Sequence, residues 1–171
     1  MYKKVAIVGR GIGFEDAPDH GEVWGVNHII LKKKSVNRIF AMHSRQVIDS
    51  YGPTKATALY AKNNKIPFVT LEVREDIPTS EAYPLKEIIK TFRDYFSNSI
   101  CYMIAYALYY GVESLDLYGV NMIGEYKRKK CVEYWLGVAE GKGIRVSING
   151  PSSLLRTKQG FRYGYDLTDG Y

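Results

Sequence analysis

The sequence predicts an α/β fold, a Rossmann-like doubly wound and mostly parallel sheet of about six strands with helices on both faces. Short β-rich apolar runs alternate with longer segments of helical character, the pattern of parallel strands joined by crossover helices. The first of these runs, VAIVGRGIGFED from Val5 to Asp16, passes straight from buried strand into glycines, which lets a loop approach a ligand closely. A length of 171 residues with 46% hydrophobic content supports one well-buried core rather than two. Residues 1–150 are expected to form one Rossmann-like nucleotide-binding domain, and 151–171 a C-terminal arm or tail rather than a second domain.

The expected strands are Lys4–Val8, Val23–Val26, Arg38–Met42, Phe68–Leu71, Leu115–Tyr118 and Ile144–Ile148. Arg45–Asn63 reads as a helix interrupted at Gly52-Pro53, because proline removes an amide donor and crowds the preceding turn. Arg74–Pro84 holds Pro78 and Pro84 with Thr79 and Ser80 between them, and reads as an irregular loop crossing the sheet edge. Leu85–Asp94 and Ser99–Tyr110 read as consecutive helices. The second, in SNSICYMIAYALYYG, is apolar on nearly every face and is therefore expected at the centre. A last helix over Glu125–Glu140 is stopped by GKG. The tail Gly160–Tyr171, GFRYGYDLTDGY, has no clear period and reads as an arm on a partner subunit or a frayed end.

Composition narrows the function classes. No apolar run approaches the roughly 20 residues needed to span a bilayer, and the N-terminus lacks a secretory pattern, so a cytoplasmic protein with free thiols at Cys101 and Cys131 is expected. The net charge of +6 favours anionic partners. Its clusters, Lys32-Lys33-Lys34 and Lys127-Arg128-Lys129-Lys130, are short and separated, as on a solvated surface. No finger, basic-zipper or RNP pattern accompanies the charge, which leaves nucleic-acid binding as a third alternative only. Fifteen tyrosines suit core packing or a subunit interface, and the latter raises the expectation of a homo-oligomer.

The glycines Gly9, Gly11 and Gly13 fail the dinucleotide fingerprint, since its third glycine would fall at Phe14. The acidic residue expected after the second strand is replaced by Asn27 in EVWGVN, so NAD binding of the usual kind is not expected. In open parallel sheets ligands collect outside the carboxyl ends of the strands. That rule selects Gly9–Gly13 with Arg10, then Asn27-His28, His43-Ser44-Arg45 and Gly119–Asn121. Ser97-Asn98-Ser99 opens the apolar helix; Ser97 or Ser99 can cap it, and its first-turn amides with the helix dipole suit a phosphate. His43 ends a strand and can act as general base or bind an anion, whereas His20 and His28 read as a polar turn and a helix start. Asn27 and Asn121 can both donate and accept toward a base or ribose, or make Asx turns. Glu125 and Tyr126 are further acid–base candidates, and Glu125 could share a helix face with Glu133. Three scattered histidines without paired acids speak against a metal site.

YFSNSICYMIAYALYYGVESLDLYGVNM, followed by EYKRKKCVEYWLGVAEGKGIRVSINGPSSLL, resembles a group of phage-encoded Rossmann-like proteins with an S-S/T-S helix, a strand ending in GVDM, an E-Y helix and a terminal S-x-L-L. The opening IVGRGIGFEDAP and EVWGVN extend the resemblance over roughly Lys3 to Leu155. More remotely the order resembles bacterial sialyltransferases that use CMP-sialic acid and the archaeal hydroxymethylpterin pyrophosphokinase family. The resemblance implies that Gly9, Gly11 and Gly13 approach phosphate or ribose, that Asn27 contacts the nucleotide and that Ser97 to Ser99 cradle phosphate. The chain departs from both relatives at Asn121, an amide where a carboxylate is common. It also has no histidine beyond His43, where the sialyltransferase base would fall after the fifth strand. The expected function is a transferase-like protein handling a sugar nucleotide or related phosphorylated nucleotide without a certain cofactor or divalent metal. The alternative is a binder that sequesters a signalling nucleotide in phage–host conflict.

Overall fold

A computed structural model describes residues 2–156, so the expectation for the tail Gly160–Tyr171 lies outside the described residues. Seven strands form one sheet: β1 (Lys4–Val8), β2 (Glu22–Val26), β3 (Arg38–Phe40), β4 (Phe68–Thr70), β5 (Ser80–Ala82), β6 (Ser114–Tyr118) and β7 (Arg145–Asn149). Their spatial order is β5-β4-β3-β2-β1-β6-β7, and every neighbouring pair is parallel. The chain runs outward from β1 to β5, then crosses back to place β6 on the other side of β1. The β1–β6 boundary is thus the topological switch point, where adjacent loops leave in opposite directions and open a crevice.

The seventh strand corrects the reading of Arg74–Pro84 as wholly irregular. Ser80–Ala82 lies between two prolines and stays extended. It is paired through the Phe68 amide donating to Thr79 O at 3.0 Å and the Tyr83 amide to Thr70 O at 2.8 Å. Arg38 on β3 reaches across to Glu81 at 2.6 Å and donates to the Tyr2 hydroxyl at 2.9 Å, and the Tyr106 hydroxyl donates to Glu81, which holds this edge in place. A three-residue polar strand is also a safe sheet edge, offering little template for another chain.

Alternate side chains of the strands feed two cores. Val5, Ile7, Trp24, Phe40 and Leu117 pack with α4 (Ser99–Tyr109) and α5 (Tyr126–Gly141) on one face. Ala6, Val8, Val23, Ile39 and Phe68 pack on the other with a 3₁₀ turn at Asn27–Leu31 and with α1 (Arg45–Ser50) and α2 (Gly52–Asn64). The break between α1 and α2 falls at Tyr51, which leaves Pro53 in the first turn of α2, where its missing amide costs nothing. A shorter helix, α3 (Leu85–Thr91), precedes α4. The expected centrality of α4 holds: Ile100, Met103, Ile104 and Leu108 are all buried, each contributing about 1.5–3 kcal/mol by leaving water.

Cys101 and Cys131, thirty positions apart in sequence, are neighbours in space with sulfurs 2.8 Å apart; both thiols are free and buried. Burial and the second thiol push the Cys101 pKa up, so neither chemistry nor ionisation is favoured there. The lysine cluster at 32–34 is less of a solvated surface than its composition suggests. Lys33 is buried and ion-paired with Asp19 at 2.9 Å, and Lys34 lies over the Tyr60 ring. Pro151–Arg156 returns to the domain, with Leu154 in the core and Ser152 donating to Val120 O at 2.7 Å. Among the described residues no helix is long and apolar enough to cross a membrane, and no group of three metal-binding side chains occurs.

Candidate functional site

A cleft of about 640 Å³ opens at the switch point, beyond the carboxyl ends of β1, β2 and β6. Of the residues singled out in the sequence, Gly9, Arg10, Gly11, Asn27, His43, Ser97, Asn98, Ser99, Gly119, Asn121 and Glu125 line it. Gly11, Asn27 and Ser99, distant in sequence, therefore share one crevice. Gly13 and Tyr126 do not line it. Gly13 turns with φ +88° beside Gly150, and Tyr126 is 76% exposed at the start of α5.

The glycine loop is built by close packing onto the end of β6. The Gly9 amide donates to Tyr118 O and the Gly11 amide to Gly119 O, both at 2.8 Å. A Cβ on Gly9 would stand 2.3 Å from Gly119 O, and one on Gly11 1.6 Å from Asn121 Oδ1. These amides are thus committed to the protein, and the small size of Gly9 and Gly11 shapes the floor of the cleft that both line. Asn121 has a similar office. Its Nδ2 donates to Ile12 O at 3.2 Å and also to Pro151 O, tying the glycine loop to the segment after β7. A carboxylate could not donate those bonds.

The start of α4 supplies free donors. The cap is Asn98, not Ser97 or Ser99: its Oδ1 accepts from the Cys101 amide at 3.1 Å from an extended backbone. Among the described residues the Ser99 and Ile100 amides have no acceptor, and both residues line the cleft. With the helix dipole they present partial positive charge to it.

Opposite them, β2 delivers Asn27 and His28. Asn27 has φ +52°, a left-handed conformation uncommon for a residue with a side chain, and its Oδ1 is buried without a hydrogen-bond partner. His28 Nε2 lies 2.9 Å from Arg10 Nη1. A guanidinium only donates, so Nε2 accepts and the ring proton sits on Nδ1, a buried donor also without partner. Burial first, then the charges of Arg10 and Lys32, lowers the His28 pKa below 6.5 and keeps the ring neutral.

Three cationic side chains, Arg10, Lys32 and Arg128, line the cleft against one carboxylate, Glu125, which is paired with Arg128 at 3.0 Å. Glu133 does not join Glu125 as an acid–base pair: it accepts from the Leu155 amide at 2.8 Å and pairs with Lys129. Lys32 and Arg128 read as surface charge in the sequence, and His28, though selected by its place after a strand, read as a helix start. Their placement depends on tertiary approach, and the sequence-level signal was limited to His28 following a strand in EVWGVNH.

No family model and no curated protein matches the chain. Among solved structures it is similar to the sialyltransferase CstII from Campylobacter jejuni, determined in complex with the substrate analogue CMP-3FNeuAc. The likeness has a TM-score of 0.58 at 15% sequence identity, covering 85% of this chain and 79% of that one. At this identity the likeness establishes the architecture, a Rossmann-like parallel α/β domain, and residue roles rest on the geometry of the cleft itself.

Proposed function

We propose that the switch-point cleft binds a phosphorylated nucleotide, of the nucleotide-sugar class, and that the protein is transferase-like. The observation that carries this reading is the convergence of unsatisfied groups of complementary kinds. The free Ser99 and Ile100 amides and three cationic side chains suit a phosphate, while the polar side chains of Asn27 and His28 line the same cleft and keep one buried polar atom each without a partner inside the protein. CstII, which shares the fold, was determined with a CMP-linked sugar analogue, and this agrees with the ligand class.

In the catalytic form of the reading, His43 is the general base. The strand expected to run to Met42 stops at Phe40, so His43 lines the cleft from the loop before α1, half-buried and with no hydrogen-bond or ion-pair partner among the described residues. Ser97 and Asn98 hold the helix start against the phosphate, and Gly119 with Asn121 fixes the loop that closes the floor. Capture of a signalling nucleotide without turnover is the second reading. The commitments of Asn121 to loop carbonyls and of Glu125 to Arg128 favour it, because His43 is left as the single unpartnered acid–base group of the expected set in the cleft.

Incubation with a panel of nucleotide sugars and ATP separates these. The transferase reading expects release of free nucleotide that His43→Ala abolishes while nucleotide affinity is retained. Recovery of every ligand intact despite binding selects capture, and absence of binding across the panel contradicts both.

A further inference from the structure

A second, smaller cavity of about 240 Å³ lies beyond the ends of β3 and β4 and meets the main cleft at His43, which lines both. Its chemistry is different. Arg45 and Arg74 line it, yet both are occupied. Arg74, 5% exposed, bonds Asp76 through Nε at 3.1 Å and Nη2 at 2.8 Å, and its Nη1 lies 2.7 Å from Asp49. Arg45 sits 3.6 Å from Asp49 and 3.9 Å from Asp76. Two aspartates thus neutralise two arginines, so this cavity, unlike the cationic cleft beside it, has no surplus positive charge for a phosphate.

What remains facing the cavity is one carboxylate, neutral polar groups and an apolar wall. Glu72 has no ion-pair or hydrogen-bond partner for its carboxylate among the described residues. Ser44 accepts from the Val47 amide and keeps its hydroxyl proton available. Ile48 is buried as part of the wall, and Leu71 stands 45% exposed at the opening. The turn carrying Leu71 is held by Thr70 Oγ1 donating to Glu72 O. A carboxylate and imidazole accept from hydroxyls while aliphatic side chains cover C–H surface, the combination that selects a neutral polyhydroxylated molecule.

We propose that this cavity binds the acceptor substrate, a neutral sugar or polyol, and that His43 stands between acceptor and nucleotide. The proposal rests on the reading of the main cleft as a nucleotide site. In the transfer, an acceptor hydroxyl oxygen forms a bond to the transferred group's atom as the bond from that atom to the nucleotide phosphate oxygen breaks. The electron pair leaves with the phosphate, and the hydroxyl proton goes to a His43 ring nitrogen and then to water.

The test follows backbone amide resonances of Ser44, Leu71 and Glu72 while methyl glycosides of glucose, galactose and N-acetylglucosamine, or the corresponding sugar phosphates, are titrated in, with and without nucleotide present. Nucleotide affinity is measured in parallel by calorimetry. The expected result is movement of these amides with at least one neutral glycoside and none with the phosphates. Leu71→Trp, which fills the cavity from an exposed position, should weaken the glycoside about tenfold or more and leave nucleotide affinity unchanged. Nucleotide binding without glycoside shifts, shifts that Leu71→Trp does not reduce, or a preference for sugar phosphates overturns the acceptor assignment alone. Failure of all nucleotides to bind overturns the reading of the main cleft, while the glycoside shifts still decide whether this cavity takes a sugar.

Discussion

Asn27 joins backbone strain to a vacant acceptor, and the two can be separated by substitution. Glycine tolerates the left-handed φ of +52° without the penalty a side chain incurs. Asn27→Gly is therefore expected to keep or slightly raise the thermal midpoint, yet to lower nucleotide affinity about tenfold through loss of the side-chain amide from the cleft wall. Equal affinity in a stable variant, measured by calorimetry, would remove Asn27 from the site. His28 gives a second readout. Its folded pKa lies below 6.5, so the unfolded chain binds the extra proton first as pH falls. The stability that neutral His28 represents is present above 6.5 and is lost as pH drops through the lower folded value. An NMR titration of the ring should give a midpoint below 6.5 in the free protein, moving upward when a nucleotide phosphate adds negative charge nearby. A midpoint at or above 6.5 without ligand contradicts the assigned environment.

The start of α4 is the element on which the phosphate assignment turns, and Asn98 permits a clean separation of stability from binding. Aspartate at a helix N-cap accepts the same amide bond and is favoured by the dipole. Asn98→Asp keeps the cap and gives up only the long, exposed Nδ2 bond to Arg128 O at 3.4 Å, so it should change the melting temperature little while its charge repels an anionic ligand, lowering affinity about tenfold or more. Asn98→Ala should instead cost about 1 kcal/mol of stability through loss of the cap. If Asn98→Asp binds nucleotide as tightly as the unaltered protein, the phosphate does not sit at this helix. The helices and the first strand were legible from the sequence because apolar period and breakers agree there: Lys4–Val8 is the same in both, and Gly52-Pro53 opens α2 directly after the break at Tyr51. The strand Ser80–Ala82 was not, since three polar residues between prolines carry no period. Its extended state comes from pairing with β4 and the Arg38–Glu81 bridge. The cap was misplaced by one position for a related reason: Ser97, Asn98 and Ser99 are all competent caps, and only the fold decides which backbone is extended.

For the molecule as a whole, the order β5-β4-β3-β2-β1-β6-β7 creates a single crevice beside β1, and the rule that ligands lie beyond strand carboxyl ends made most of its lining legible in advance. What the rule cannot supply is charge and hydrogen-bond commitment. Lys32 and Arg128 reach the crevice by tertiary approach, and Gly9, Gly11 and Asn121 spend their polar groups on holding the loop. The central claim is that a nucleotide phosphate seats on the open end of α4 in this crevice. Titrating isotope-labelled protein with nucleoside mono- and diphosphates tests it most directly. The amide resonances of Ser99, Ile100 and Asn27 are expected to move together and saturably with at least one nucleotide, with little change at the opposite, amino end of the sheet. Saturable shifts confined to other surfaces, or no shifts across the panel, would contradict it.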